Sequence, residues 1–182
     1  MKTKSASRKP VRKKRKKSTL RKQVVEKTVP FIKKPPSDER SFAVFSVGRE
    51  RFCFDLVLVL ETLYTFNIIE VSHLPEPFVG VIKLKGATVP VVDLQKLLKE
   101  EEVETEMKTC LIVSTGTSNT GFITDSDIEI VPAEKGRVHP LPDCYTAEEA
   151  KFLEGIFWLE DNFIGILKAK EMIDSLSGLE EK

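Results

Sequence analysis

The side chains in this 182-residue sequence best suited to chemistry are three cysteines, Cys53, Cys110 and Cys144, and two histidines, His73 and His139. A thiol beside an imidazole is a nucleophile–base pair when a third group orients the base. Two pairings can be drawn, Cys53 with His73 and Cys144 with His139, but no orienting group is signalled for either. Cys53 lies between Phe52 and Phe54, the pattern of a buried structural thiol. The cysteines are odd in number and widely spaced, with neither a CxxC pair nor a disulfide framework, which fits a reducing compartment. Two histidines exclude a multi-histidine metal site. The run Gly116–Gly121 lacks the Gly-Lys-Ser/Thr ending of a phosphate loop and reads as a hairpin loop. Asp125, Asp127 and Glu129 alternate without the glycine bend and distal glutamate of a calcium loop, so a solvated acidic face is expected. Nothing here signals catalysis, a metal or a cofactor.

Lys83, Lys85 and Gly86 are more informative. Glycine after a strand permits a positive φ, and lysines two apart in a strand project from one side, where they can meet an acidic partner. The competing reading is an ordinary exposed turn.

The elements that position these residues follow from hydrophobic pattern and turn signals. Phe42–Val47 and Phe52–Phe54 flank a polar turn and predict a hairpin. Leu56–Leu63 is compatible with a short helix or a bent strand, and periodicity does not decide between them. Pro75-Glu76-Pro77 predicts a turn. Val79–Leu84 and Ala87–Val92 predict a second hairpin, and Asp93 a cap on a short helix through Leu98. Further strands are expected at Thr109–Ser114, Gly121–Thr124, Ile128–Val131, Ile156–Leu159 and Phe163–Leu167, then a helix over Lys170–Leu176 closed by Gly178. Many short strands with close turns make the chain mainly β, as small barrels or a sandwich. The acidic run Glu100–Glu106 reads as a linker between two comparable halves.

Net charge, formally +1, hides an asymmetry. Residues 1–34 carry 15 basic residues and one acid, a net of +14, while the remainder carries −13. Like-charge repulsion and scarce apolar surface predict a disordered tail over residues 1–40, with a transient helix at most over Val24–Val29. Arg12, Lys13, Lys14, Arg15, Lys16 and Lys17 are candidates for binding nucleic acid or another polyanion without sequence specificity. Anionic lipid and the acidic body itself compete for the same charge. The longest apolar run, Leu56–Leu60, is far short of the roughly 20 residues that span a bilayer. The cationic N-terminus lacks the apolar stretch of a secretory signal.

Five segments in register resemble the CheW-type chemotaxis coupling domains. The run from Phe78 to Leu94 resembles the family's G-V-x-N-L-R-G followed by P-V-x-D-L. Phe42–Gly48 with Phe52–Asp55 resembles the opening hairpin, and Val59-Leu60-Glu61 the V-x-E motif. Thr124–Ile130 resembles V-D-x-V-x-E-V, and Phe152–Gly155 with Ile164–Leu167 the closing segment. The similarity covers residues 41–176. It implies two pseudo-symmetric five-stranded SH3-like β-barrels with short helices around a shared core, divided near residues 100–107. It also implies a non-catalytic cytoplasmic adaptor without cofactors, working in receptor–kinase arrays for chemotaxis or another motility system. Its partners would be the regulatory domain of a CheA-type histidine kinase and the cytoplasmic tip of a chemoreceptor. Val59, Glu61, Lys83, Lys85 and Gly86 fall on the partner-contacting motifs. Two departures stand out: Lys83-Leu84-Lys85-Gly86 replaces Asn-x-Arg-Gly, and Lys168 replaces the aspartate after the last strand. Lysine keeps the charge but not the planar fork of arginine.

Overall fold

Apolar alternation on either side of Gly48-Arg49 folds as the antiparallel hairpin β1 (Ser41–Val47) and β2 (Glu50–Asp55), with Val47 opposite Glu50. The structure, a computed structural model, describes residues 40–101, 103, 108–133, 137–159 and 161–177. The basic tail with Arg12–Lys17, the helix expected over Val24–Val29, and the closing Gly178 with residues 179–182 lie outside the described residues.

The ambiguous run after β2 is both of the things its pattern allowed. Asp55 caps a 3-10 turn, Leu56–Leu58, through a 3.2 Å hydrogen bond from Val57 N, and the chain continues as β3 (Val59–Leu63). The second hairpin is β4 (Phe78–Leu84) and β5 (Ala87–Asp93), joined by Lys85 and Gly86 with φ of 49° and 87°. Two consecutive positive φ values match the twist of the flanking strands. Asp93 then caps α1 (Leu94–Leu98), its carboxylate accepting from Gln95 N at 3.0 Å. There follow β6 (Thr109–Ser114), β7 (Asn119–Thr124), β8 (Glu129–Pro132), β9 (Val138–Pro140), β10 (Leu153–Leu159), β11 (Asn162–Leu167) and α2 (Ala169–Ser177). β9 was not expected: three exposed residues with a histidine and a proline carry no alternation signal.

The strands form two sheets, ordered β8-β1-β2-β11-β10-β9 and β3-β6-β7-β5-β4. Their logic is the same. In each, an antiparallel hairpin (β6–β7 or β1–β2) has a parallel neighbour on its second strand (β5 or β11). That neighbour pairs with its own hairpin partner (β4 or β10), and a short strand (β3 or β8) flanks the other side. Pseudo-symmetry therefore holds over five strands, and β9 is a sixth added at one edge.

The division expected near residues 100–107 is not where the sheets separate. The five-stranded lobe is continuous from β3 to β7. The six-stranded lobe takes its first hairpin from the start of the described chain and the rest from β8 onward. The acidic run thus joins α1 to β6 inside one lobe. An acidic, apolar-poor segment signals a loop, and loops occur within lobes as readily as between them.

Both sheets curl. Ile69 bridges Val81 of β4 with backbone hydrogen bonds of 2.8 and 3.0 Å, bringing the chain that follows β3 onto the far edge strand. In the other lobe the rings of Phe42 of β1 and Phe157 of β10 meet at a tilt, 4.9 Å between centroids, although β2 and β11 lie between them in the sheet. Each lobe has its own interior. Phe42, Val44, Cys53, Phe157 and Ile164 fill one, and Leu63, Val91, Cys110 and Ile112 the other. A third cluster joins the lobes through Phe45, Phe54, Phe122, Leu94 and Met172. β1 consequently buries both faces, which is why its sequence is nearly all apolar.

Where the family aspartate precedes the last helix, Lys168 stands at the cap of α2: its carbonyl accepts from Met172 N at 3.0 Å. Lysine has no acceptor for the free amides of the first turn. Lys168→Asp is expected to stabilise the chain by about 1 kcal/mol, the usual contribution of a capping side chain. A denaturant melt measures it.

Candidate functional site

The residues able to do chemistry do not converge. Cys53 is fully buried inside the six-stranded lobe, whereas His73 is exposed between β3 and β4. Burial raises the Cys53 thiol pKa well above its ordinary value and pushes that of Cys110 up to about 12, so neither is a thiolate near neutral pH. Cys144 and His139 are both exposed, His139 on β9 and Cys144 in the loop after it. Of the Gly116–Gly121 run, Gly116–Ser118 lie in the β6–β7 hairpin loop, closed by Thr115 N to Ser118 O at 3.2 Å, and Asn119–Gly121 already belong to β7.

The alternating acids form a face that is solvated at Asp127 and Glu129, while Asp125 has a structural task. Asp125 accepts from Gly48 N at 2.8 Å, and Asp125 N donates to Ser46 O at 3.0 Å. Ser126 Oγ accepts from Ser46 N at 2.9 Å, and Glu129 pairs with Arg51 at 3.1 Å. Together they tie the chain leaving β7 to the β1–β2 hairpin. Asp127 and Glu129 are exposed as expected, and Asp125 alone is drawn in.

The surface that the motifs mark lies on the five-stranded lobe, where its edge strands meet. Glu61 comes from β3 and Lys85 from the β4–β5 turn, and Lys85 Nζ donates to Glu61 Oε2 at 2.7 Å. The Glu61 side chain is only 9% exposed and that of Lys85 is 74% exposed, so a shielded carboxylate is covered by a mobile-stemmed cation. Gly86 completes the turn with open space around its Cα. Lys83 bonds across the hairpin to the hydroxyl of Thr88, its partner in register. The two lysines therefore do not share one strand face: the left-handed φ of Lys85 takes it out of the alternation. Val59 is half-buried and packs on the shared core rather than beside the ion pair.

Three apolar residues that sequence reasoning left unassigned belong to this region. Val57, Leu60 and Tyr64 are 63%, 43% and 39% exposed. Leu60 is the extra residue of a β-bulge between Val59 and Glu61, which turns it outward. Inside a continuous apolar run no period marks which residues face solvent. The arrangement offers one ion pair and three exposed apolar residues within four positions of Glu61 along the chain, which suits binding a protein.

The CheW-like domain family model matches residues 41–177. The chain is 27% identical over 144 residues to the chemotaxis protein CheW of Rhizobium meliloti, covering 79% of this chain and 90% of that protein. It is 21% identical over 137 residues to the chemotaxis protein CheW of Klebsiella aerogenes, covering 75% and 82%. The crystal structure of the scaffolding protein TtCheW from Thermoanaerobacter tengcongensis aligns with a TM-score of 0.65 and 28% identity, over 71% of this chain and 89% of that one. With two pseudo-symmetric β lobes on a common core and a family match across nearly all of the described residues, the chain belongs to the CheW-like domain family.

Proposed function

We propose that this protein is a cytoplasmic, non-catalytic adaptor that couples methyl-accepting chemoreceptors to a CheA-type histidine kinase, in chemotaxis or a related motility system. The Glu61–Lys85 pair carries the reading. It joins residues of two of the five family-like segments, with Lys85 open to solvent and the exposed Leu60 next to Glu61 in β3. A protein partner bearing an acidic group and an apolar patch can displace water from Leu60 while Lys85 turns toward it. An adaptor of this kind transmits signal only through differential contacts with two states of its partners. Relatives named as chemotaxis CheW proteins and a scaffolding CheW structure support it.

Glu61→Ala and Lys85→Glu are each expected to weaken binding to a purified CheA-type regulatory domain about tenfold or more, which is ~1.4 kcal/mol. Lys85 is largely exposed, so Glu61→Ala costs the fold only about 1 kcal/mol. Lys85→Glu sets a second carboxylate against the shielded one and costs more, about 1–3 kcal/mol, without unfolding the chain. Calorimetric titration beside a thermal melt separates the two effects. Collapse of the cooperative melt in either variant would mark the pair as structural instead.

A further inference from the structure

The β10–β11 hairpin holds an apolar surface that the adaptor reading leaves unused. Trp158 and Phe163 face each other directly across the strands, with ring centroids 4.3 Å apart and planes at 81°. They are 37% and 56% exposed. An edge-to-face pair held by strand register is a rigid platform. The hairpin from Leu153 to Leu167 contains three acids, Glu154, Glu160 and Asp161, and no base.

We infer that this platform is covered by the chain's own segment Lys27-Thr28-Val29-Pro30-Phe31-Ile32-Lys33-Lys34. Three observations select that occupant. The first is charge: the segment has three lysines and no acid, opposite in sign to the hairpin, where Arg40 already pairs with one of the three acids, Glu154. The second is apolar content. Phe31 is the sole aromatic residue before Arg40, and it lies beside Ile32 and Val29. The third is reach. Arg40, the first described residue, is fixed at the root of the same hairpin, with its guanidinium 3.1 Å from Glu154 and 2.7 Å from Asp55. Its carbonyl accepts from Ala133 N at 2.7 Å. Trp158 is four residues beyond Glu154 along β10, about 13 Å. The stretch from Ile32 to Arg40 can extend to about 27 Å, and Pro35-Pro36 favours an extended path. Running back along β10, the segment lays Phe31 and Ile32 on the aromatic pair and brings Lys27 toward the exposed Asp161. A lysine over the Trp158 face adds a cation–π contact.

Trp158 is the only tryptophan in the chain, so its fluorescence reads this surface without labelling. In the full-length protein, Trp158 emission is expected to be blue-shifted and poorly quenched by acrylamide. The double variant F31S/I32S should shift emission to longer wavelength and raise the quenching constant to that of a chain lacking residues 1–34. A second variant, K33E/K34E, should do the same in part and should lose its dependence on added salt. A thermal melt checks that each variant remains folded. Identical emission and quenching in wild type and F31S/I32S would overturn the proposal. So would protection that vanishes on dilution, since a second copy of the chain would then be the cover.

Discussion

Phe122→Ala is expected to destabilise the whole chain by about 3–5 kcal/mol, the range for emptying a buried phenylalanine site. It is also expected to leave a single melting transition. Phe122 is fully buried on β7 of the five-stranded lobe, and its ring lies 5.3 Å from Phe54 on β2 of the other lobe. Phe54 in turn contacts Phe45 at 5.5 Å. The cavity would therefore open in the cluster that both lobes share rather than in either interior. Because the five-stranded lobe is inserted within the chain of the six-stranded one, neither can unfold without exposing the other's core. For a chain of this size each kcal/mol moves Tm by roughly 2–4 °C, so a fall on the order of 10 °C is expected. Two resolved transitions in calorimetry, with only one lobe weakened, would show that the lobes are independent.

Gly80→Ala should be at least as damaging. Gly80 has a φ of 143°, a conformation that side chains rarely adopt, at a bulge in β4. A Cβ there would lie 2.5 Å from Ile69 O and 2.6 Å from Ile68 Cγ2. Ile69 is the residue that bridges Val81 and closes the sheet, so relieving the clash means undoing the bridge. Backbone strain of about 1–3 kcal/mol adds to that loss. Gly86→Ala is the control. Its φ is also positive, but nothing lies within 4 Å of the added Cβ, so the cost is the left-handed penalty alone, about 1–2 kcal/mol. Denaturant titration of the two variants should give clearly different midpoints. Equal midpoints would mean that the bridge contributes little.

Local features of the fold were readable from the residues, and long-range ones were not. Thr109–Ser114 has the bounds expected of β6, because an apolar run ends sharply at polar turn residues. Asp93 caps α1 as its position before Leu94 requires. Sheet membership has no local signature. Nothing in the composition says that the first hairpin completes a sheet begun by β8, or that the acidic run lies inside a lobe. The candidate site divides in the same way. The turn at Lys85-Gly86 is written in its glycine, and the resemblance brought Glu61 into consideration. Their contact joins residues 24 apart through closure of a curled sheet, which spacing alone does not report. Asp125 shows the opposite error. Its alternation with Asp127 and Glu129 suggested solvent, while it is half-buried and its partner Gly48 lies on a hairpin 77 residues away.

The most direct test of the adaptor account is calorimetric titration of the full-length protein with a purified CheA-type regulatory domain, repeated with the charge-swapped variant E61K/K85E. The swap keeps an ion pair at the edge of the lobe but reverses the charge that faces the partner. The account predicts wild-type binding with a Kd of about 10 µM or below, on the order of −7 kcal/mol. It further predicts loss of that binding in the swapped variant with its melt unchanged. Absence of wild-type binding, or equal binding by both proteins, would contradict it.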